Sequence, residues 1–289
     1  MLESDLFAAW RTRPLAGITK RDVMDVLDVL VERGSEVMAN RTLAYFSMLF
    51  GWALNREIIT VDPTARIKKP GAEQSRERVL TLEEMRAIWQ GTEPTQANHG
   101  ELFTGIVRIL MLTGQRREEV GGMRWSEIDG ATWTLPAERT KNHREHVVHL
   151  SEPVLAILEE RKAEQAAMGI KSAFVFTSFA VRPAPLLGLE QEQGRLDGRA
   201  AIAAWTLHDL RRTLATRMAE DLDIPPHIIE ATINHVSGAR AGVAGTYNRG
   251  LYLPERRAAM DAWTGYVLRI IGEIQAGNVV EMPRVQRQG

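Results

Sequence analysis

Two side chains three residues apart carry the clearest chemical signal in this chain. In Thr206-Leu207-His208-Asp209-Leu210-Arg211-Arg212-Thr213, His208 and Arg211 would leave one flank of a helix. A group that titrates near neutrality beside a permanent cation suits an oxyanion whose charge grows in a transition state. Arg116 and Glu119 repeat that spacing just past Thr113-Gly114. A cation beside a tight glycine turn is well placed to point into a cleft, with the carboxylate to orient it. Lys141 lies in the basic stretch Arg139-Thr140-Lys141-Asn142-His143-Arg144, where a turn lysine can swing toward a ligand. Taken singly, each feature has an ordinary reading as a solvated helix flank or a surface lysine, because short motifs match by chance. The elements that carry them, and their order, decide.

Thr206 reads as an N-cap with Asp209 in the capping-box position, and Leu207, Leu210, Leu214 and Met218 recur at helical spacing. Upstream, the apolar run from Leu102 to Leu112 predicts a buried helix that stops at a left-handed Gly114. Leu80-Thr81-Leu82-Glu83-Glu84-Met85 carries a capping box and a hydrophobic staple, and so predicts another helix start. From 123 to 150 the period shortens. Asp129-Gly130 marks a hairpin turn, and Val147 to Leu150 reads as a third strand. A helix from Val154 to Met168 and a short buried strand Phe174-Val175-Phe176 follow, then a loop from Pro183 to Ala204 that says little. Asp223-Ile224-Pro225-Pro226 breaks and restarts the chain into a short helix ending at Asn234-His235. The Gly/Ala-rich stretch Gly238 to Gly245 delivers Tyr247, and a last helix runs from Pro254 to about Ile274. Its stripe of Trp263, Val267, Ile270, Ile271 and Ile274 suits packing in cis or docking on a neighbouring protomer.

Residues 1–70 read as a thin helical block: one helix after Thr19 with Val23, Val26, Leu27, Leu30 and Val31, then a second from about Asn40 to Glu57 facing inward through Leu43, Phe46, Phe50, Ala53 and Leu54. The polar segment from 66 to 78 holds five basic residues, Arg66, Lys68, Lys69, Arg76 and Arg78, against two acidic ones. That excess suits a linker lying along a phosphate backbone. The expected organisation is a helical domain over 1–70, a basic linker over 71–79, a second domain over 80–275 and a flexible tail over 276–289. The fold class is mainly α with a small antiparallel β-sheet.

Composition sets limits. The 289 residues, 44% hydrophobic and 25% charged, fit a globular protein of one or two domains. With no cysteine, disulfides, thiolate nucleophiles and Cys-ligated zinc are excluded. No apolar run suits a bilayer span and no signal pattern opens the chain, so a cytoplasmic location is the expectation. The net charge of −1 argues against indiscriminate nucleic-acid binding, although a balanced total can hide a basic stripe. His143, His146 and His149 are spaced so that at most His143 and His149 share a strand face, with no carboxylate obviously placed with them. No metal site is expected there.

The order Arg116, Lys141, His208-x-x-Arg211, His235, Tyr247 resembles the tyrosine recombinase (phage integrase) family. The local matches are Leu112 to Glu119, Arg139 to Asn142, Thr206 to Thr213, Ile233-Asn234-His235, and Tyr247 after the Gly-rich stretch. They span about residues 78 to 265, with a weaker likeness of the N-terminal helices to the family's core-binding domain. The resemblance implies a helical core-binding domain followed by a catalytic domain. Tyr247 would attack the scissile DNA phosphate, leaving a 3′-phosphotyrosine and a free 5′-hydroxyl. Arg116 and Arg211 would clamp the non-bridging oxygens, Lys141 would protonate the departing 5′-oxygen, and His208 would manage the tyrosine proton. His235 would hydrogen-bond a non-bridging oxygen, and Glu119 would support the site. The ester keeps the bond energy, so no ATP is needed, and arginine and lysine replace a metal; no cofactor is implied.

The implied partner is double-stranded DNA carrying core sites, bound by a homotetramer that is a monomer in solution, with accessory DNA-bending or directionality proteins and no membrane. The implied setting is a bacterial or phage-encoded, nucleoid-associated protein that integrates or excises a mobile element. There are departures. Ile233-Asn234 stand where the family often has Leu-Gly, and asparagine tolerates positive φ best after glycine. Tyr252 is a rival nucleophile. The N-terminal part is short for a phage-type integrase, which suggests a missing arm-binding domain. A truncated integrase that binds DNA without recombining it, and a type IB topoisomerase-like strand passer, are the alternative readings.

Overall fold

A computed structural model describes residues 10, 12–72, 77–93, 101–178, 184–185, 196, 200, 202–235 and 252–272. The chain divides into two compact units, Met1–Glu77 and Arg78–Gly289.

The first unit is built on α1 (Lys20–Glu32) and α2 (Glu36–Asn55). Thr19 caps α1 in a reciprocal box with Asp22, whose carboxylate accepts the Thr19 N–H at 2.8 Å. Val23, Val26 and Leu27 face Ala39, Leu43, Phe46, Phe50 and Ala53, and Trp10 stacks on Phe46 at 5.0 Å. Two expectations are corrected. Helix α2 begins four residues before Asn40, because its buried face opens with the small Ala39, which hydrophobic periodicity reads poorly. Leu54 is exposed, on the far side of the stripe. The polar Asn40 is buried and grips Gly71: its amide donates to the Gly71 carbonyl at 2.8 Å and accepts the Gly71 N–H at 3.2 Å. Only glycine fits there, since a Cβ would lie 2.4 Å from the Glu36 Cβ.

The second unit holds α3 (Leu82–Gly91), α4 (Glu101–Thr113) and α5 (Arg117–Gly121), then a three-stranded antiparallel sheet of β1 (Ile128–Asp129), β2 (Thr132–Leu135) and β3 (His146–His149). Helix α6 (Glu152–Ala167) follows, and β4 (Thr177–Ser178) pairs with β5 (Ala184–Pro185). Helices α7 (Leu207–Glu220), α8 (Pro226–Thr232) and α9 (Leu253–Ile271) complete it. Fold class is therefore mainly helical with a small antiparallel sheet. The Thr81–Glu84 box and the buried Leu80 and Met85 start α3. Gly130, at φ +53, takes the first position of the two-residue turn between β1 and β2. Register pairs Trp133 with Val148 and Leu135 with His146, placing all four on the buried face.

The expected strand at Phe174–Phe176 is a correction. Phe174 forms only an isolated bridge to Arg124, and pairing begins at Thr177. The Gln165 side chain donates to the Phe174 and Val175 carbonyls, both at 2.9 Å, taking the place of a neighbouring strand. Helix α9 packs in cis. Trp263 and Val267 are fully buried among α3, α4 and α8, and the Trp263 indole donates to the Met111 carbonyl at 2.9 Å. No helix among the described residues is long and apolar enough to cross a membrane. The loop from 183 to 204 lies largely outside the described residues, and Gly238 to Gly245, Ile274 and the 276–289 tail lie wholly outside them.

Candidate active site

Helix α7 delivers two of the singled-out side chains. The buried Asp209 carboxylate accepts the Thr206 N–H at 2.8 Å and pairs with Arg212 at 2.7 Å, fixing the first turn. Leu207, Leu210, Leu214 and Met218 point into the core. Arg211 is buried beside them: its guanidinium donates to the Gly114 carbonyl at 2.7 Å and to the Ile233 carbonyl. Gly114, at φ +62, closes α4 and lets Leu214 approach; a Cβ there would lie 2.8 Å from the Leu214 Cδ1.

Arg116 stands two residues past that glycine and caps α5. Its guanidinium pairs with the buried Glu119 at 2.9 Å and donates to the Asn234 carbonyl at 3.0 Å. The Arg116 N–H donates to the other Glu119 oxygen at 3.1 Å. Two guanidiniums thus converge on consecutive carbonyls, Ile233 and Asn234, at the C-terminal end of α8, where carbonyl dipoles favour cations. The buried carboxylate Glu119 is engaged by Arg116 and acts on Arg211 through its charge. Two cations and, among the described residues, one ion-paired carboxylate suit an arriving oxyanion.

The remaining positions surround this pair. Asn234 takes φ +50 and directs the exposed His235 outward. Its side chain meets Asn142 in a reciprocal amide pair of 2.6 and 3.3 Å, which brings the turn carrying the exposed Lys141 to the end of α8. Tyr247 lies outside the described residues. Tyr252, half-buried at φ +48, opens α9 with its ring edge-on to His227 at 5.2 Å. Of the five basic candidates for phosphate contact, Arg66, Lys68 and Lys69 are exposed in the first unit, and Arg76 lies outside the described residues. Arg78 pairs with Glu84 at 2.5 Å.

Charge around the site shifts its titration. Burial, then the Arg116 charge, lowers Arg211 to about 10, so it remains a cation at neutral pH. His208 is held below the ordinary histidine range, first by desolvation and then by Arg211 and Arg212. It is therefore a free base at neutral pH.

A third group was not singled out as a site residue by sequence reasoning, although the parity of β3 marks it. His146 shares the inward face with Val148 and is buried. Its Nε2 lies 3.1 Å from the Gln115 amide oxygen. The Gln115 nitrogen is spent on the Thr113 and Thr232 carbonyls at 2.8 and 3.1 Å, so the His146 Nε2 carries the proton. Its Nδ1 then accepts from Arg256 at 3.4 Å. Burial first, then Arg256 and Arg211, lower its pKa to about 3. The three histidines considered as a metal set occupy separate environments: His143 is exposed at φ +53, His146 is buried, and His149 pairs with Asp261 at 2.9 Å.

The depressed His146 pKa makes the fold acid-sensitive. Below the ordinary value of 6.5 the unfolded chain takes up a proton that the fold refuses, so stability falls as pH drops from 6.5 toward about 3. The slope is at most about 1.4 kcal/mol per pH unit for one proton. Between pH 6.5 and 5, above the carboxylate range, urea midpoints should fall for the parent chain and fall less for His146→Gln. Equal slopes would remove His146 as the cause.

Two family models match. The one described as "Phage integrase family" covers residues 78–248, and "Phage integrase central domain" covers residues 1–70. The prophage integrase IntZ of Escherichia coli (strain K12) is 30% identical over 286 residues, 96% of this chain and 66% of the relative. The chain thus spans about two thirds of that relative's length. A lambda integrase dimer bound to a COC′ core site, 18% identical, superposes with a TM-score of 0.58 over 78% of this chain and 81% of its own. A lambda integrase tetramer bound to a Holliday junction, 19% identical, gives 0.58 over 77% and 66%.

Proposed function

Since the chain belongs to the phage integrase family, we propose that it breaks and rejoins DNA at specific sites through a covalent tyrosine ester. The observation that carries this reading is the meeting of Arg116 and Arg211 on consecutive carbonyls, where, among the described residues, one carboxylate, Glu119, is ion-paired with them.

In this reading the Tyr247 oxygen bonds to the scissile phosphorus as the bond from phosphorus to the 5′-oxygen breaks. The phenolic proton passes to His208, a free base at neutral pH. The two arginines take the charge that builds on the non-bridging oxygens, and His235 adds a hydrogen bond. Lys141 gives its proton to the departing 5′-oxygen, and Glu119 holds Arg116 in place. The products are a 3′-phosphotyrosine and a 5′-hydroxyl. Attack by a 5′-hydroxyl of the partner strand reverses each step, so strand exchange needs no outside energy. Arg66, Lys68, Lys69 and Arg76 would run along the backbone; Arg78, held by Glu84, contributes less. Four copies would act on two duplexes, in the manner of the lambda tetramer, in the cytoplasm with the DNA.

The test is a nicked suicide duplex bearing the core site. Its cleaved end diffuses away and traps the ester, so the parent should yield a denaturant-stable protein–DNA adduct. Salt-sensitive binding without adduct would leave a DNA-binding protein only, and supercoil relaxation without recombinant product would indicate strand passage alone. Lys141→Ala should cut cleavage about 10²-fold on an ordinary substrate yet spare one with a 5′-bridging sulfur, whose leaving group needs less protonation. Equal loss on both would take Lys141 out of the acid role.

A further inference from the structure

We propose that the Asn142–Asn234 amide pair is a positioning device for the Lys141 proton donor. It ties the β2–β3 turn to the end of α8, where both site arginines are anchored. The inference rests on the strand-cleavage reading of the site.

Each asparagine uses one donor and one acceptor toward the other, at 2.6 and 3.3 Å, so the contact fixes orientation as well as distance. The two residues are 92 positions apart in sequence, and each is the immediate neighbour of a singled-out side chain. Asn142 follows Lys141, and Asn234 precedes His235. Lys141 itself is exposed, on a turn between two strands. A lysine has a flexible four-carbon stem and a strongly hydrated head. Left alone, it would sample many positions, few of them useful to a leaving oxygen. Anchoring the next residue removes most of the backbone freedom and leaves the stem to find its target.

Asn234 is shaped for this task twice over. Its φ of +50 is one that glycine or asparagine adopts with least strain, and its carbonyl accepts from Arg116 at 3.0 Å. Glycine would supply the conformation and the carbonyl. The side-chain amide is the part that glycine lacks, and it is the part that reaches Asn142. Thr140, on the other side of Lys141, secures the turn from within: its hydroxyl accepts the Arg144 N–H at 3.0 Å. The turn is therefore internally braced, and Asn142 fastens the braced turn to the arginine site.

The variant Asn234→Gly isolates the clasp, since it keeps the left-handed backbone and the carbonyl on Arg116. Asn142→Ala removes the same pair from the other side. Both should lower adduct formation about tenfold on an ordinary nicked duplex and less than twofold on the 5′-bridging sulfur duplex. In a Lys141→Ala background, Asn234→Gly should cause no further loss. A merely structural defect would depress both substrates alike, and that result would overturn the proposal. So would unchanged cleavage of the ordinary duplex by both variants. If Lys141→Ala slows the two substrates equally, the acid role of Lys141 fails and the clasp proposal falls with it. If the parent forms no adduct at all, the cleavage reading itself has failed.

Discussion

Tyr247→Phe is expected to reduce covalent adduct on the suicide duplex to background, while Tyr252→Phe forms it at the parental rate. The substitution removes one oxygen and keeps the ring, so a loss would trace to the nucleophile rather than to packing. The chain has four tyrosines, and Tyr247 is the one that matches the family's motif after the Gly-rich stretch. Tyr45 lies on α2, in the stretch matched by the central-domain model and not by the one over residues 78–248. The Tyr266 hydroxyl donates to Asp221, which also pairs with Arg217 at 3.0 Å. Burial and that acceptor raise the Tyr266 pKa, the wrong direction for a nucleophile near neutral pH. Tyr252 opens α9 in a left-handed conformation, and its ring packs against the core and His227. Phenylalanine retains that ring packing. The family match runs to residue 248, so it includes Tyr247 and stops short of Tyr252. An adduct that survives Tyr247→Phe and disappears in Tyr252→Phe would reverse the assignment.

Legibility in the sequence followed the range of the interactions. Capping boxes at Thr19, Thr81 and Thr206 depend on residues three apart, and the helices begin where those boxes stand. The glycine turns at Gly114 and Gly130 are equally local, and so is the positive φ of Asn234. Boundaries drifted where the apolar signal was weak, as at Ala39 in α2. The strand at Phe174–Phe176 failed for a different reason: its carbonyls are satisfied by Gln165, a side chain on α6 that no local pattern announces. The same limit hid the Gln115–His146–Arg256 network, whose members come from the α4–α5 turn, β3 and α9. Arg116 and Glu119 were readable as a pair because they are three apart. Their meeting with Arg211 rests on backbone carbonyls of Ile233 and Asn234, and a carbonyl has no identity in a sequence.

Arg211→Lys and Arg116→Lys should each lower adduct formation by about 10²- to 10³-fold, the loss typical of removing one transition-state donor. Duplex binding should change only a few-fold, because it is spread over many phosphate contacts. Lysine preserves the charge, so the loss would measure the planar fork. Arg211 uses two arms on the Gly114 and Ile233 carbonyls, and a guanidinium has five N–H donors, so three remain for the phosphate. An ammonium has three donors in all; holding the same two carbonyls leaves it one. Arg116 is similarly divided between Glu119 and the Asn234 carbonyl. The cause can be separated from a folding defect by replacing one non-bridging oxygen of the scissile phosphate with a methyl group. That substrate is neutral and builds less charge in the transition state, so it has less need of either arginine. The penalty for each lysine variant should therefore shrink markedly on the methyl substrate. A penalty of the same size on both substrates would mean that the arginines hold the fold together and do not stabilise charge on phosphorus.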